Sequence, residues 1–165
     1  MIMSLTITPL INIPLIRRDD NLADIVLKSL RETGLELRDN DILVFAQKIV
    51  SKAEGRSVNL ATISPSPRAI ELAEKSEKDP RIVELMLQES REVLRVRAGT
   101  IIVEHNLGFI CANAGIDHSN VAGAGNPSEE WVLLLPKDAD RSCELIRKEI
   151  ESTTKKNIGV VIIDS

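Results

Sequence analysis

The apolar residues of this chain are collected in short runs, and the length of these runs limits the folds that it can adopt. The runs at 41–46, 131–135 and 158–163 each have the length of a buried β-strand. None of them approaches the ~20 consecutive apolar residues that a membrane-spanning helix needs. Strands and amphipathic segments alternate only partly. The sequence therefore predicts a mixed α/β (α+β) fold, with a mixed sheet and flanking helices.

Two polar residues that precede prolines mark the starts of helices in the middle of the chain. Ser66 and Asp79 are each followed by proline, a pattern that favours an N-cap with proline at the first helical position. The apolar stripe after Asp79 predicts a helix that continues to residues 93–94. Residues 100–104 and 108–112 then predict a β-hairpin.

The ends of the chain carry the remaining predicted elements. Residues 12–16 have strand character but contain a proline, which favours an edge strand or an extended loop. Asp19 or Asp20 is predicted to cap a helix that ends at Gly34. A last helix is predicted over about 138–154, directly before the closing apolar run.

Composition excludes several classes of partner. The 165 residues include 21 basic and 25 acidic side chains, and only 2% are aromatic. Nucleic-acid binding relies on a basic face and on aromatic stacking, so we expect no nucleic-acid partner. The N-terminus lacks a basic leader, and Cys111 and Cys143 have no metal-ligand spacing. We therefore expect one compact, cytoplasmic domain with two reduced thiols and no membrane contact.

The familiar phosphate-binding patterns are missing. The chain has no GxxxxGK[ST] segment, and the glycines at 123 and 125 do not continue into GxGxxG, so neither a P-loop nor a Rossmann fold is predicted. His105 and His118 lack metal-ligand spacing, and we predict both to be solvated residues in turns.

Three short segments have side chains suited to phosphate or metal chemistry. Lys52 follows an apolar strand and precedes a glycine, where it could serve as a point charge for phosphate or be a solvated surface lysine. Asn113, Asp117 and Asn120 offer oxygen ligands for a hard cation such as Mg²⁺, or form an Asx-rich turn. Asp164 ends an apolar strand, as metal-binding carboxylates often do, or is simply solvated.

These segments occur in an order that resembles a known family. The chain reads IPLI at 13–16, SKAEGR at 51–56, NAGID at 113–117, LLP at 134–136 and IIDS at 162–165. From about residue 7 to its end it resembles the coenzyme F-420-0:L-glutamate ligase family. This resemblance implies a GTP-dependent enzyme that adds L-glutamate, through γ-linked amide bonds, to the deazaflavin precursor F-420-0 by way of an acyl phosphate.

The resemblance also implies site residues and cofactors. Two divalent-metal sites, for Mg²⁺ or Mn²⁺, and a K⁺ ion are expected, with GTP as a substrate and a homodimer as the assembly. Asp117 and Asp164 are implied as ligands of one metal, and Ser165 as a ligand of the second. Some relatives carry small hydroxyl residues in place of Gln47 and Lys48, so only backbone contacts carry over there. The implied GTP contacts are Ile13, Pro14, Leu15, Ile16, Gln47, Lys48, Lys52 and Asn120.

Two other interpretations of the sequence stay open. The chain could be a nucleotide- or metal-binding module without catalysis, or an inactive fragment of the ligase. Because the family continues beyond the IID[ST] motif, we expect residues 1–165 to be the N-terminal portion of the ligase domain, without the C-terminal half.

Overall fold

The computed structural model describes residues 5–118 and 130–164. Within these ranges no helix is both long enough and apolar enough to cross a membrane. The chain divides into two compact units, one formed by Met1–Gly55 with Ala139–Ser165 and one by Arg56–Asp138. The elements in chain order are α1 (Leu22–Thr33), β1 (Ile42–Ala46), α2 (Gln47–Ala53), β2 (Ser57–Asn59), α3 (Pro67–Ser76), α4 (Pro80–Gln88), β3 (Ser90–Arg97), β4 (Thr100–His105), β5 (Ile110–Ala112), β6 (Trp131–Leu133), α5 (Ala139–Thr154) and β7 (Gly159–Ile163).

The first unit is built on a parallel strand pair. β1 and β7 pair in register, with Val44 opposite Val161. Phe45 is buried in a core that it shares with residues of α1 and α5, including Val26 and Ile150. The predicted buried strand at 158–163 is only half right, since Val161 remains 43% exposed. Alternate side chains of a strand point to opposite faces, and only one face of this pair is covered in the described residues.

The start of α1 corrects the predicted cap. Asn21 is the N-cap, and its side-chain oxygen accepts a hydrogen bond from the Asp24 N–H at 3.0 Å. The carboxylate of Asp20 instead accepts the Arg17 N–H at 2.7 Å, closing the turn before the helix. Gly34 ends α1 in the left-handed conformation, as predicted.

The second unit contains antiparallel sheets and two helices. β3, β4 and β5 form one sheet in that order, and β2 pairs with β6 in another. Ser66 and Asp79 cap α3 and α4 ahead of prolines, as predicted, and the β4–β5 hairpin is also confirmed. Parallel and antiparallel pairs together confirm the mixed α/β class, with pairing distributed over small separate sheets in the described part of the chain.

Two predictions for the second unit are wrong. Helix α4 ends at Gln88, and residues 93–94 lie in strand β3, where Val93 pairs with Val103. β-branched residues favour this pleated surface over a further helical turn. His105 is not solvated: its side chain is 2% exposed and stacks on Phe109 with ring centroids 5.2 Å apart.

Cys111 and Cys143 form no disulfide, as predicted. Burial raises the pKa of the Cys143 thiol, which favours its protonated form.

Candidate functional site

The carboxyl ends of β1 and β7 bring two of the predicted segments together. Ala46 pairs with Ile163, so Gln47 and Asp164 both follow the same edge of the parallel pair. Ligands of open α/β sheets bind outside the carboxyl ends of parallel strands. Asp164 is exposed there, in a position from which a carboxylate can accept a metal ion.

Helix α2 begins at this edge and turns its first side chain inward. Gln47 is 3% exposed, and its side-chain amide donates to the buried Ser51 hydroxyl at 2.6 Å. Lys48 is half-buried. The side chain of Gln47 is therefore enclosed in the unit and is not presented at the edge of the strand pair.

The other end of α2 meets the N-terminal segment. The Asp19 N–H donates to the Ala53 carbonyl at 2.9 Å, next to the half-buried Lys52. Gly55 has a φ of +67°, and a Cβ atom at this position would lie 2.8 Å from Nε of Arg18. This contact places the turn after the IPLI segment on the end of α2. Within that segment Ile13, Pro14 and Leu15 are exposed, whereas Ile16 belongs to the core.

In the second unit, the NAGID segment has a strained backbone. Asn113, Ala114 and Gly115 follow one another with φ of 53°, 51° and 63°. Non-glycine residues rarely adopt this region, and such strain is concentrated at functional sites. Ala114 is fully buried, and the Asn113 side-chain oxygen accepts the Ile101 N–H at 3.1 Å. Asn113 therefore ties the segment to β4, a structural role that its residue type alone did not indicate.

Asp117 is held by its backbone against β6. Its N–H donates to the Leu133 carbonyl at 2.9 Å, and its carbonyl accepts the Leu133 N–H at 2.8 Å. Asp117 is half-buried and the neighbouring His118 is exposed, as predicted. The carboxylate is therefore carried on a fixed backbone position.

The predicted metal ligands are divided between the two units or lie outside the described residues. Asn120 and Ser165 lie outside the described residues. Asp117 belongs to the second unit and Asp164 to the first. Within 5–118 and 130–164, no group of three or more His, Cys, Asp or Glu side chains is arranged to hold a metal. Carboxylate oxygens are the ligands that Mg²⁺ and Mn²⁺ prefer, so Asp117 and Asp164 each fit the chemistry of such ions.

Sequence reasoning missed a charged pair behind the Asp117 segment. Arg56 donates through Nη2 to Glu89 Oε2 at 2.6 Å and through Nε to the Leu135 carbonyl at 2.8 Å. Arg56 is the last residue of the SKAEGR motif, and its place in that motif is the sequence signal that could have identified it. Glu89 gave no signal, because it lies at the end of a helix in an ordinary charged stretch.

A second charged group lies near the start of α4. Arg81 donates to Asp79 and to Glu130, and these bonds raise the pKa of the guanidinium. The hydrogen bond from Arg81 in turn lowers the pKa of Asp79. This group fixes Glu130 beside the start of β6.

Comparison with known proteins identifies the class of this mixed α/β chain. Residues 10–165 match the model of the family described as F420-0:gamma-glutamyl ligase. The chain is 43% identical to the coenzyme F420:L-glutamate ligase of Methanothermobacter thermautotrophicus over 153 residues, which cover 92% of this chain and 58% of that protein. It is 44% identical to the enzyme of the same name from Methanocaldococcus jannaschii, over 78% of this chain and 49% of that protein.

A third relative, the coenzyme F420:L-glutamate ligase of Archaeoglobus fulgidus, is 38% identical over 99% of this chain and 61% of its own length. The chain thus belongs to the F420-0:gamma-glutamyl ligase family, which confirms the resemblance inferred from its motifs. It spans roughly half to three-fifths of the length of these relatives.

Proposed function

We propose that this chain contributes to a ligase that joins L-glutamate to the coenzyme precursor F420-0. The observation that carries the proposal is the family match over residues 10–165, together with relatives at about 40% identity that are named for this activity. An amide bond between a carboxylate and an amine does not form spontaneously at neutral pH, so the carboxylate must first be activated.

We further propose that GTP supplies the activation. The carboxylate of F420-0 attacks the γ-phosphorus, and the bond from that phosphorus to the bridging oxygen breaks, giving an acyl phosphate and GDP. The amine of glutamate then attacks the acyl carbon, phosphate leaves, and the nitrogen loses a proton. Both steps move charge among phosphate oxygens, which requires neutralising groups and no protein nucleophile.

The chain offers candidate groups for this task. Lys52 would contact a phosphate as a point charge, and Asp117 and Asp164 would each serve as a ligand of a divalent cation. A bound Mg²⁺ or Mn²⁺ would neutralise phosphate charge. The backbone at 13–16 and at 47–48 would contact the nucleotide, as the motif resemblance implies.

A ligation assay tests the activity. The protein that carries this sequence is incubated with F420-0, glutamate, GTP and Mn²⁺, and the products are analysed by mass spectrometry. We expect a product enlarged by one or more glutamate residues, together with GDP and phosphate. Binding of GTP and Mn²⁺ without such a product would instead assign a nucleotide- and metal-binding module.

Separate substitutions test the metal ligands. Asp117→Asn and Asp164→Asn are each expected to weaken Mn²⁺ binding at least tenfold and to abolish ligation while the fold is kept. Asp24→Asn, an exposed carboxylate in the first turn of α1, is the control and should bind Mn²⁺ like the unaltered chain. Unchanged Mn²⁺ affinity in either of the first two variants excludes that residue as a ligand.

The proposal includes a K⁺ requirement and a homodimer. Replacing K⁺ by Na⁺ is expected to lower the ligation rate, and light scattering after size-exclusion chromatography should give twice the mass of one chain. A rate independent of K⁺, or the mass of a single chain, contradicts the respective part.

A further inference from the structure

We propose that Arg56 is a positioning residue that holds Asp117 in place through the strand on which Asp117 rests. The inference rests on the proposed function only in taking Asp117 as a metal ligand. The positioning itself is a property of the second unit and can be measured without metal or substrate.

Arg56 forms hydrogen bonds to the chain after β6 through both its backbone and its side chain. Its carbonyl accepts the Leu134 N–H at 3.1 Å, and its Nε donates to the Leu135 carbonyl at 2.8 Å. These bonds extend the pairing of β2 with β6 beyond the residues that form the ladder, in which Ser57 pairs with Leu133. The path of 133–135 is therefore fixed by Arg56.

The same three residues support the Asp117 segment. Leu133 exchanges two backbone hydrogen bonds with Asp117, at 2.9 and 2.8 Å. The Leu135 side chain packs on Gly115, where a Cβ atom would lie 2.6 Å from the Leu135 Cδ1. A shift of residues 133–135 would therefore displace Asp117 and press the Leu135 side chain against Gly115. The link from Arg56 to Asp117 passes through a single short stretch of backbone.

The Arg56 guanidinium also forms an ion pair with Glu89. Glu89 binds Nη2 at 2.6 Å, and both side chains are only about one-fifth exposed, at 22% and 19%. The buried His105 lies beside the same carboxylate, with its Nε2 3.8 Å from Glu89 Oε2. Its Nδ1 accepts the Leu107 N–H at 3.0 Å, so in the neutral ring the proton is on Nε2, which faces the carboxylate. Nε2 has no hydrogen-bond partner among the described residues.

The geometry requires arginine and not merely a positive charge. The planar guanidinium presents Nε to one acceptor and Nη2 to another, in a fixed fork. A lysine ammonium is a single point on a flexible stem, and it can satisfy Glu89 or the Leu135 carbonyl but does not hold both in this geometry. Arg56→Lys therefore keeps the positive charge but loses the paired hydrogen bonds. It thus distinguishes positioning from electrostatic attraction.

Amide hydrogen exchange measures the positioning directly. In Arg56→Lys the Asp117 and Leu133 amides should exchange about tenfold faster, relative to the Val83 amide, as expected for loss of one hydrogen bond to a charged group. The Val83 N–H, bonded to the Asp79 carbonyl at 3.1 Å in α4, reports the stability of the unit. Arg91→Lys is the matched control, because Arg91 forms an exposed pair with Glu104 at 3.4 Å in the same unit.

The outcomes decide the inference. Faster exchange confined to Asp117 and Leu133 supports it, whereas unchanged exchange, or equal acceleration at Val83, overturns it. Glu89→Gln keeps an acceptor for Arg56 and should show the same pattern with a smaller change, which preserves the test if Arg56→Lys does not fold.

Mn²⁺ binding, followed by the electron paramagnetic resonance of the free ion, then connects positioning to function. Arg56→Lys should bind Mn²⁺ about tenfold more weakly, like other outer partners of metal ligands, and Arg91→Lys should bind it normally. Weaker binding in Asp117→Asn with unchanged binding in Arg56→Lys overturns the functional consequence of the inference. Normal binding in Asp117→Asn overturns instead the metal role of Asp117, and the exchange data still decide the positioning.

Discussion

At the scale of single residues, Gly115 has no room for a side chain. Its φ of +63° places it in the left-handed region, and a Cβ there would lie 2.6 Å from the Leu135 Cδ1. Gly115→Ala therefore combines about 1–2 kcal/mol of backbone strain with a collision. Gly99→Ala is the control in the same unit, because Gly99 has a φ of +76° and nothing within 4 Å.

We expect Gly115→Ala to lower the free energy of unfolding clearly more than Gly99→Ala does, measured by urea denaturation. Equal losses in the two variants would show that the contact with Leu135 relaxes and that only the backbone strain counts.

Residue types in the motifs indicated chemistry, but their neighbours decide what each side chain can do. Lys52 and Asp164 could be singled out from the sequence because they follow apolar strands, and the parallel register explains why Gln47 and Asp164 share one edge. The inward turn of Gln47, and the link from Arg56 to Glu89, depend on contacts that are distant in sequence or on burial. No local pattern encodes them.

At the scale of elements, the two faces of β1 should respond differently to substitution. Phe45 is 3% exposed and packs in the core of the first unit, whereas the adjacent Val44 is 58% exposed. Phe45→Ala should cost about 3–5 kcal/mol of unfolding free energy by leaving a cavity. Val44→Thr should change it by less than about 0.5 kcal/mol.

Chemical denaturation of both variants measures this contrast. A large loss in Val44→Thr would mean that the face of β1 that carries Val44 is covered in solution, for example by a second copy of the chain.

Element boundaries were predictable where a local signal is strong and failed where tertiary packing competes with it. Ser66 and Asp79, each before a proline, set the starts of α3 and α4 without help from the rest of the fold. The apolar stripe after Asp79 predicted a helix to residues 93–94, yet this stretch pairs with β4 because its valines pack across the sheet. His105 was misjudged for the same reason, since its ring fills the space beside Phe109.

At the scale of the whole molecule, one buried histidine and two hydrogen-bonded carboxylates make the free energy of unfolding depend on pH. Burial lowers the pKa of His105 below its ordinary 6.5, against the attraction of Glu89 and with the help of Arg56. The unfolded chain then takes up a proton that the folded chain refuses, so the free energy of unfolding falls as the pH drops below about 6.5. One such group gives a slope of at most about 1.4 kcal/mol per pH unit.

Carboxylates act lower on the pH scale. Hydrogen bonds from Arg81 and Ser66 lower the pKa of Asp79 and Glu84 from their ordinary 3.8 and 4.5. Their contributions are complete above those ordinary values and are lost as the pH falls through the lower values of the folded state. Between pH 7.5 and 5.5 the loss of stability should therefore come from His105 and not from these acids.

Urea denaturation at pH 7.5 and 5.5 tests this assignment on two histidine variants. His105→Asn leaves a side-chain oxygen that can accept the Leu107 N–H, and it should lower stability at both pH values because it loses the packing on Phe109. It should also remove most of the difference between the two pH values, since the group that refuses the proton is gone. His118→Asn, at the exposed position directly after the NAGID segment, should keep that difference. A pH difference that survives in His105→Asn, or disappears in His118→Asn, would show that the refused proton does not belong to the imidazole packed between Glu89 and Phe109.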